Sequence, residues 1–502
     1  MVQSIRPQRW WQTYSRWQWL VVSAVGLVAL GLRLYKLDER SIWLDEAFGY
    51  LHSQKPISDI VLKPVCCHPP LHFVVIHGWS SLFGTSEIAL RAPAVISGFL
   101  AVVGILWLGW RWFGWEAGLF AAALAAVASR LIYHSRELNP YGLVMFFAVI
   151  LLGLFDNAWK KPHKRYLFSL GFAVLLALMT HYALSMLLVG LNAGIIYRLV
   201  LEIQSKPTQR RALIGTLLKI WLWQIPAVVV FVVYYISFTG KQIESGQTGH
   251  AEFSIGILDF IQRTYAIIAY MSVGSKPFSV VTLSLSALLV IGIGVAIRQR
   301  QATWLVVTLI GGLITSYFMA SRVLYFYHTR YMLFVAPLMI ILMGLGFRWI
   351  CMQLGKFRFV DVIGRLGFAL LLAAICLRVP QGDLDGQRTG LSAEQLHPVM
   401  ACIEQHYEPG DRVFVYYGAS LAFRYYNERY QWPATVGLWK RGDIASQIAD
   451  AEAALSTERG WIVAAHSYGS EPQQIEAALE QTAQRLVECQ DVNAHAVLFE
   501  RR

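Results

Sequence analysis

Eleven stretches of this chain are apolar over about 18 to 23 residues each, and that repetition constrains the fold more than any single motif. A helix needs about 20 residues to cross roughly 30 Å of hydrocarbon, where every backbone N–H and C=O must be bonded within the segment. The stretches lie at roughly 17–35, 88–110, 115–133, 141–158, 165–182, 183–201, 216–238, 279–297, 302–320, 331–350 and 364–380. Charged residues make up only 15% of the 502, against about 25% in an average soluble domain. The expected fold class is an α-helical polytopic membrane protein. The first stretch has no small-residue cleavage site behind it, so it reads as a retained helix. A net charge of +12 could suit nucleic acid, but the basic residues are dispersed among loops and read as topology signals.

Those loops sort by charge. One alternate set holds Arg6, Arg9 and Arg16; Arg111; Lys160, Lys161, Lys164 and Arg165; Lys206, Arg210 and Arg211; Arg298 and Arg300; Lys356, Arg358 and Arg365. The positive-inside rule places this set and the N-terminus in the cytoplasm of a cell whose cytoplasmic membrane the chain spans. The other set is then extracytoplasmic: residues 36–87, 129–140, the Thr180-His181-Tyr182 turn, 239–278, 321–330 and everything after about 381. Nearly every unusual polar residue falls on this face. Two domains are expected, a membrane domain over 1–380 and an extracytoplasmic α/β domain over 381–502. In the second, short apolar runs at Arg412–Tyr417, Gly460–Ala465 and Ala496–Phe499 alternate with helical patterns at Asp443–Leu455 and Pro472–Arg485. Its cysteines, Cys402 and Cys489, are free to pair in an oxidising compartment, which sequence alone leaves open.

The residues with chemistry cluster in the outer loops. Asp45 and Glu46 open a helical stretch after Trp43. Two carboxylates there suit either the positive end of a helix dipole or general-base work on an attacking hydroxyl. Neighbours on a helix diverge by about 100°, so only one of them can face a given pocket. His68 precedes two prolines, which suit the first turn of a helix and fix the chain as it enters the second span. Cys66, Cys67 and His72 make metal ligation conceivable, but no matched second pair of ligands accompanies them. A hydrogen-bonded, phosphate-facing His68 is the favoured reading. The third outer loop adds His134, Arg136, Glu137, Asn139 and Tyr141, and His181 ends the fifth span. A histidine at a membrane boundary is a functional candidate by default, beside the plainer reading of a hydrogen-bonded helix end. Arg322, His328 and Arg330 lie in an aromatic run with Tyr331. Arginine's planar fork matches phosphate oxygens, and the alternative is an interface arginine snorkelling among aromatics.

Taken in order, WLDEA, HPPL, SEIALRAPAVISG (86–98), YHSRELNPYGLV (133–144), the THY turn and HTRYMLFVAP (328–337) resemble the dolichyl-phosphate-mannose protein mannosyltransferase-like family. That family includes the aminoarabinose transferases of lipid A, and its members are integral-membrane glycosyltransferases of the GT-C class. The resemblance covers about residues 30 to 340. It implies two helices along the membrane in the first outer loop, at 44–54 and 57–63 and split by Pro56. It also implies a sugar transfer from a polyprenyl-phosphate donor to a lipid, glycan or protein acceptor by an inverting single displacement. Carried over by position, the catalytic candidates are Asp45, with Glu46 as its alternative, and Glu137. The substrate-binding candidates are His68, Arg136, Tyr141, His181, Arg330 and Tyr331. Asn139 stands where the family usually has arginine, a charge that Arg136 can supply. Cys67-His68 stands where the aminoarabinose branch has Glu-Lys, which argues against aminoarabinose as the sugar and against that branch's metal site. No nucleotide motif is present and no organic cofactor is expected; a divalent cation is left open. The rival readings are a multi-pass transporter, a GT-C glycan ligase or polymerase, and an inactive scaffold whose outer domain binds a partner. A transporter would carry polar residues and broken helices at the midplane, whereas these spans are largely clean.

Overall fold

The structure, a computed structural model, describes residues 16–63, 68–239, 256–271, 279–322, 329–354, 394–455 and 459–502. Ten of the eleven expected spans are helices near their expected positions, and the eleventh, at 364–380, lies outside the described residues. Eight segments among the described residues are long and apolar enough to cross a membrane, from Arg16–Leu34 to Arg330–Gln353. The helix Lys164–Thr180 has 17 residues and Trp115–Val127 only 13.

The second of these is a correction. The expected span 115–133 stops at Val127, and a separate short helix, Ser129–His134, follows an extended Ala128. The cause is Arg33, buried at the end of the first span. Its guanidinium donates to the carbonyls of Ala125 (3.3 Å) and Ala126 (3.4 Å), which end the helix, and to Ala29 (2.9 Å). A cation on the last carbonyls of a helix satisfies groups that would otherwise bond onward.

The spans share one continuous apolar core. Where two helices come closest, glycine makes the room. A Cβ on Gly292 of Val280–Arg298 would run into the Leu342 carbonyl, and one on Gly346 of Ala336–Leu354 into that of Leu288. Small residues are the general means by which membrane helices approach closely. Facing outward, Leu218, Leu222, Ile225, Val229 and Val233 leave an exposed apolar stripe at helical spacing along Arg210–Tyr234, as a lipid-facing surface requires.

The loop between the first two spans folds into helices Leu44–Ser53 and Ile57–Leu62, broken at Pro56, and a third helix not foreseen, Leu71–Phe83. Pro70 caps that third helix, so the two prolines start a separate element and not the second span. Gly84, at φ 83°, ends it. Ser86 then caps the span Glu87–Phe113 by accepting from the Ala89 N–H.

The chain from Glu394 forms a five-stranded sheet in the order β2-β1-β3-β5-β4. Strands β1 (Arg412–Val415), β2 (Ala434–Val436) and β3 (Arg459–Ala465) are parallel; β4 (Ala483–Asp491) and β5 (Ala494–Arg501) run antiparallel. The expected helix 472–485 ends at Leu479, and β4 begins four residues later. Residues 483–491 bury Ala483 and Cys489 and pair with β5 through a tight turn in which Asn493 takes φ 51°, a conformation asparagine tolerates. Cys402 and Cys489 are joined by a disulfide.

Candidate active site

The site is built around the start of the helix Leu44–Ser53. Arg91, buried near the start of the span Glu87–Phe113, holds the loop in place with all five of its N–H groups. Its Nε and one terminal nitrogen donate to the two Glu46 oxygens at 3.0 and 2.7 Å. The remaining bonds go to the carbonyls of Leu37 (2.8 Å), Arg40 (2.7 Å) and Ser41 (3.1 Å). Glu46 also accepts from the Leu138 N–H at 2.8 Å and lies 3.4 Å from Arg40. Burial works against its charge, but the two arginines outweigh it and hold its pKa below the usual value. Glu46 is fully buried and saturated with donors.

Glu137 is similarly enclosed. His134 donates Nδ1–H to it at 3.1 Å, and Arg40 lies 3.6 Å away. Burial raises its pKa, yet the His134 bond and the Arg40 charge bring it down to about 2. Burial pushes the pKa of His134 below its usual value, and the bond to Glu137 opposes that. Arg136 donates to the Tyr35 and Lys36 carbonyls at 2.6 and 3.1 Å and fixes the end of the first span.

Asp45, one residue before Glu46, points elsewhere. Its carboxylate lies 3.4 Å from the guanidinium of Arg330, 285 residues away in sequence. Its side chain remains 40% exposed. Burial raises its pKa and Arg330 opposes that, while the Glu137 charge adds to the rise. Arg330 lies over the rings of Tyr331 (5.4 Å) and Tyr141 (5.9 Å), and its Nε has no partner. His181 packs on Tyr331 at 5.6 Å, on Tyr141 at 5.8 Å and on His68 at 5.8 Å. The His181 Nδ1 accepts the Ala183 N–H at 3.1 Å, so its proton sits on Nε2, which is buried without a partner. Burial and the Arg330 charge push His68 down to about 4, so it is a neutral hydrogen-bonding group at neutral pH. His72 is driven to about 3, again by burial first and then by His68.

Asp45, His68, Tyr141, His181, Arg330 and Tyr331 thus come together, with Glu137 behind them. Glu46 and Arg136 are committed to holding the loop. Arg322, Cys66, Cys67 and His328 lie outside what the structure describes at side-chain level. Among the described residues, the one group with three ligand atoms close enough for an ion is Cys402, His406 and Cys489, and its two cysteines are bonded to each other.

Three features went unread in the sequence. Arg91 was visible only as one letter of a motif; its signal is a lone arginine at the head of an otherwise apolar span. Arg40 bridges Glu46 and Glu137. The C-terminal domain also reaches the site: Ile42 and Ala47 are part of its core, the Tyr426 hydroxyl accepts the Ile42 N–H at 2.8 Å, and Tyr50 donates to Glu428 at 2.8 Å.

This architecture is the GT-C fold of integral-membrane glycosyltransferases with a small C-terminal sheet domain. Residues 67–235 match the family described as dolichyl-phosphate-mannose-protein mannosyltransferase, in line with the motif order. The crystal structure of apo ArnT from Cupriavidus metallidurans superposes with a TM-score of 0.56 at 14% identity, covering 96% of this chain and 97% of that one. The same protein bound to undecaprenyl phosphate gives 0.57 at 14% identity over 96% and 98%. The apo oligosaccharyltransferase of Archaeoglobus fulgidus gives 0.52 at 11% identity over 95% and 74%. No curated protein matches the chain in sequence.

Proposed function

We propose that the chain transfers a sugar from a polyprenyl-phosphate donor to an acceptor at the outer face of the cytoplasmic membrane, by an inverting single displacement. The observation that carries this reading is the approach of Asp45 to Arg330, which sets a carboxylate beside a guanidinium with donors to spare. The acceptor hydroxyl attacks the anomeric carbon from the face opposite the phosphate, and Asp45 takes its proton. The new C–O bond forms as the anomeric carbon's bond to the phosphate oxygen breaks, and the electron pair leaves on the phosphate. Arg330 and the Nε2–H of His181 stabilise that developing charge, with neutral His68 as a further hydrogen-bonding group. The half-buried Tyr331 is the aromatic ring of this rim nearest to solvent, and Tyr141 packs behind it. Glu46 and Glu137 serve as positioning residues through Arg91, Arg40 and His134.

Undecaprenyl phosphate, the ligand of the ArnT structure, is the model for the lipid. The alternation of basic loops supports the outward orientation, as does the disulfide, which persists in an oxidising compartment. The test is turnover of radiolabelled undecaprenyl-phosphate-linked sugars (a hexose, a pentose and an aminopentose) by the purified full chain. Asp45→Asn should lower the rate by about 10²–10⁴-fold with the protein still folded. Retained turnover in that variant removes Asp45 as the base.

A further inference from the structure

Away from the rim around Arg330, the C-terminal sheet carries a second group of residues that the mechanism above does not use. Glu471, only 7% exposed, opens the helix Glu471–Leu479 and gathers the ends of all three parallel strands. One of its oxygens accepts the hydroxyls of Tyr416 and Tyr417, which follow β1, at 2.6 and 2.8 Å. The other accepts the Gly442 N–H, beyond β2, at 2.9 Å. The Tyr416 hydroxyl in turn accepts the Tyr468 N–H, beyond β3, at 3.3 Å. In an open α/β sheet, ligands bind outside the carboxyl ends of the strands, at the point where the strand order switches. That point is β1 here: the chain passes from it to β2 on one side and then to β3 on the other.

This edge presents an aromatic stack that ends in an arginine. Tyr417 lies on Tyr468 with ring centroids 5.8 Å apart and planes within 11°. Trp439 meets Tyr417 at 5.2 Å and 61°. Arg441 lies over Tyr468, 4.4 Å from the ring centroid, and among the described residues its N–H groups donate to no acceptor. The loop that holds Trp439 and Arg441 is pinned at two places besides Gly442. The Leu438 N–H donates to Asp450 at 3.2 Å, and Gln447 donates to the Lys440 carbonyl at 3.2 Å. Trp439 nevertheless remains 59% exposed, and Val436 and Leu438 beside it are exposed as well. A backbone ordered this firmly around a solvated indole and an arginine with free donors is the arrangement of a pre-formed binding surface.

We propose that Trp439, Arg441 and Tyr468 form a carbohydrate subsite for the acceptor, which makes the acceptor a glycan. This rests on the sugar-transfer reading above. A sugar ring is apolar on its C–H faces and polar around its rim. Trp439 takes a C–H face, and Arg441, held over Tyr468, donates through its planar fork to hydroxyls on the rim. A bilayer surface also takes an indole and an arginine, but a chain of contacts ties this edge to the loop that carries Asp45. The Tyr468 ring lies 5.3 Å from that of His466, whose Nδ1 is bonded to Glu394. The next residue, Gln395, accepts from the Ser41 hydroxyl at 2.9 Å and from the Ser41 N–H at 3.1 Å. Ser41 lies four residues before Asp45. A glycan of several sugars seated on this edge therefore reaches toward the loop where its hydroxyl reacts.

The experiment applies the full-length chain in nanodiscs to an array of defined oligosaccharides. Each retained oligosaccharide is then used as acceptor with the same undecaprenyl-phosphate-linked sugars. The wild type should retain at least one oligosaccharide, and Trp439→Ala and Arg441→Ala should each weaken that binding by about tenfold. Trp439→Phe, which keeps a ring face, should lose less. In turnover, Trp439→Ala should raise KM for the retained oligosaccharide by about tenfold and change kcat by less than about twofold. Equal retention by wild type and both alanine variants overturns the subsite, as does a wild type that retains none. Variants that all unfold make the stack a packing element and also overturn it. Hydrogen exchange over residues 436–442 that slows in phosphatidylglycerol nanodiscs, with no oligosaccharide retained, makes this loop a membrane contact instead. A retained oligosaccharide that receives sugar from none of the donors fails the sugar-transfer reading and leaves a glycan-binding edge. Donor turnover without oligosaccharide retention fails the subsite alone.

Discussion

At the scale of single residues, Asp45 and Glu46 show how one peptide bond separates two roles. Both were legible as candidates, and helix geometry allowed only one to face the pocket. Sequence could not say which, because the choice is made by Arg91 from another element. By taking both Glu46 oxygens, Arg91 fixes the helix rotation that turns Asp45 toward Arg330. Breaking such a buried pair leaves an uncompensated charge. Arg91→Met should therefore destabilise the protein by about 3–5 kcal/mol, and adding Glu46→Leu should recover much of that loss. Thermal unfolding in detergent reads both. Equal melting temperatures for wild type and Arg91→Met would show that the pair is not holding the loop. The rim residues His68, His181, Arg330 and Tyr331 were legible through the order of motifs, whereas Arg40 was not. Its partners, Glu46 and Glu137, lie in two different loops, and only the fold brings them to one guanidinium.

At the scale of elements, hydropathy found the long helices because lipid leaves a long apolar run few other structures. It failed where a polar side chain from elsewhere ended a helix early. Arg33 stops the third span at Val127, and no pattern within 115–133 signals it. The helix Leu71–Phe83 was absorbed into a loop because 13 residues are too few to span. In the C-terminal domain, β4 was hidden behind a helix signal that ends at Leu479. That strand is tied by Cys489 to Cys402 of the helix Leu396–His406, a bridge closing 87 residues of chain. Opening it with the double variant Cys402→Ser and Cys489→Ser should cost the C-terminal domain roughly 4 kcal/mol. A lower melting temperature, matched by wild type under reducing conditions, is the expected result. An unchanged melt would mean that the surrounding core already holds these two elements.

At the scale of the whole molecule, the C-terminal domain is joined to the loop that carries Asp45 by a shared core and by hydrogen bonds. Ile42 and Ala47 are packed among Val399, Trp461 and Phe423, and Tyr425 donates to the Thr85 carbonyl at 2.9 Å. Sequence showed two regions of different character on one face but not their contact, since pairings across more than 300 residues leave no local pattern. On the proposed reading, the rim around Arg330 handles the donor phosphate, and the C-terminal domain packs on the loop that carries Asp45. The most direct test of that reading is the binding of undecaprenyl phosphate to the full chain in nanodiscs, followed by native mass spectrometry. The wild type should hold the lipid, Asp45→Asn should hold it within about twofold, and Arg330→Ala should lose about tenfold or more in affinity, since charge-assisted bonds to phosphate are among the strongest a side chain makes. Equal binding by Arg330→Ala and wild type, or none by the wild type, would contradict a polyprenyl-phosphate site at this rim.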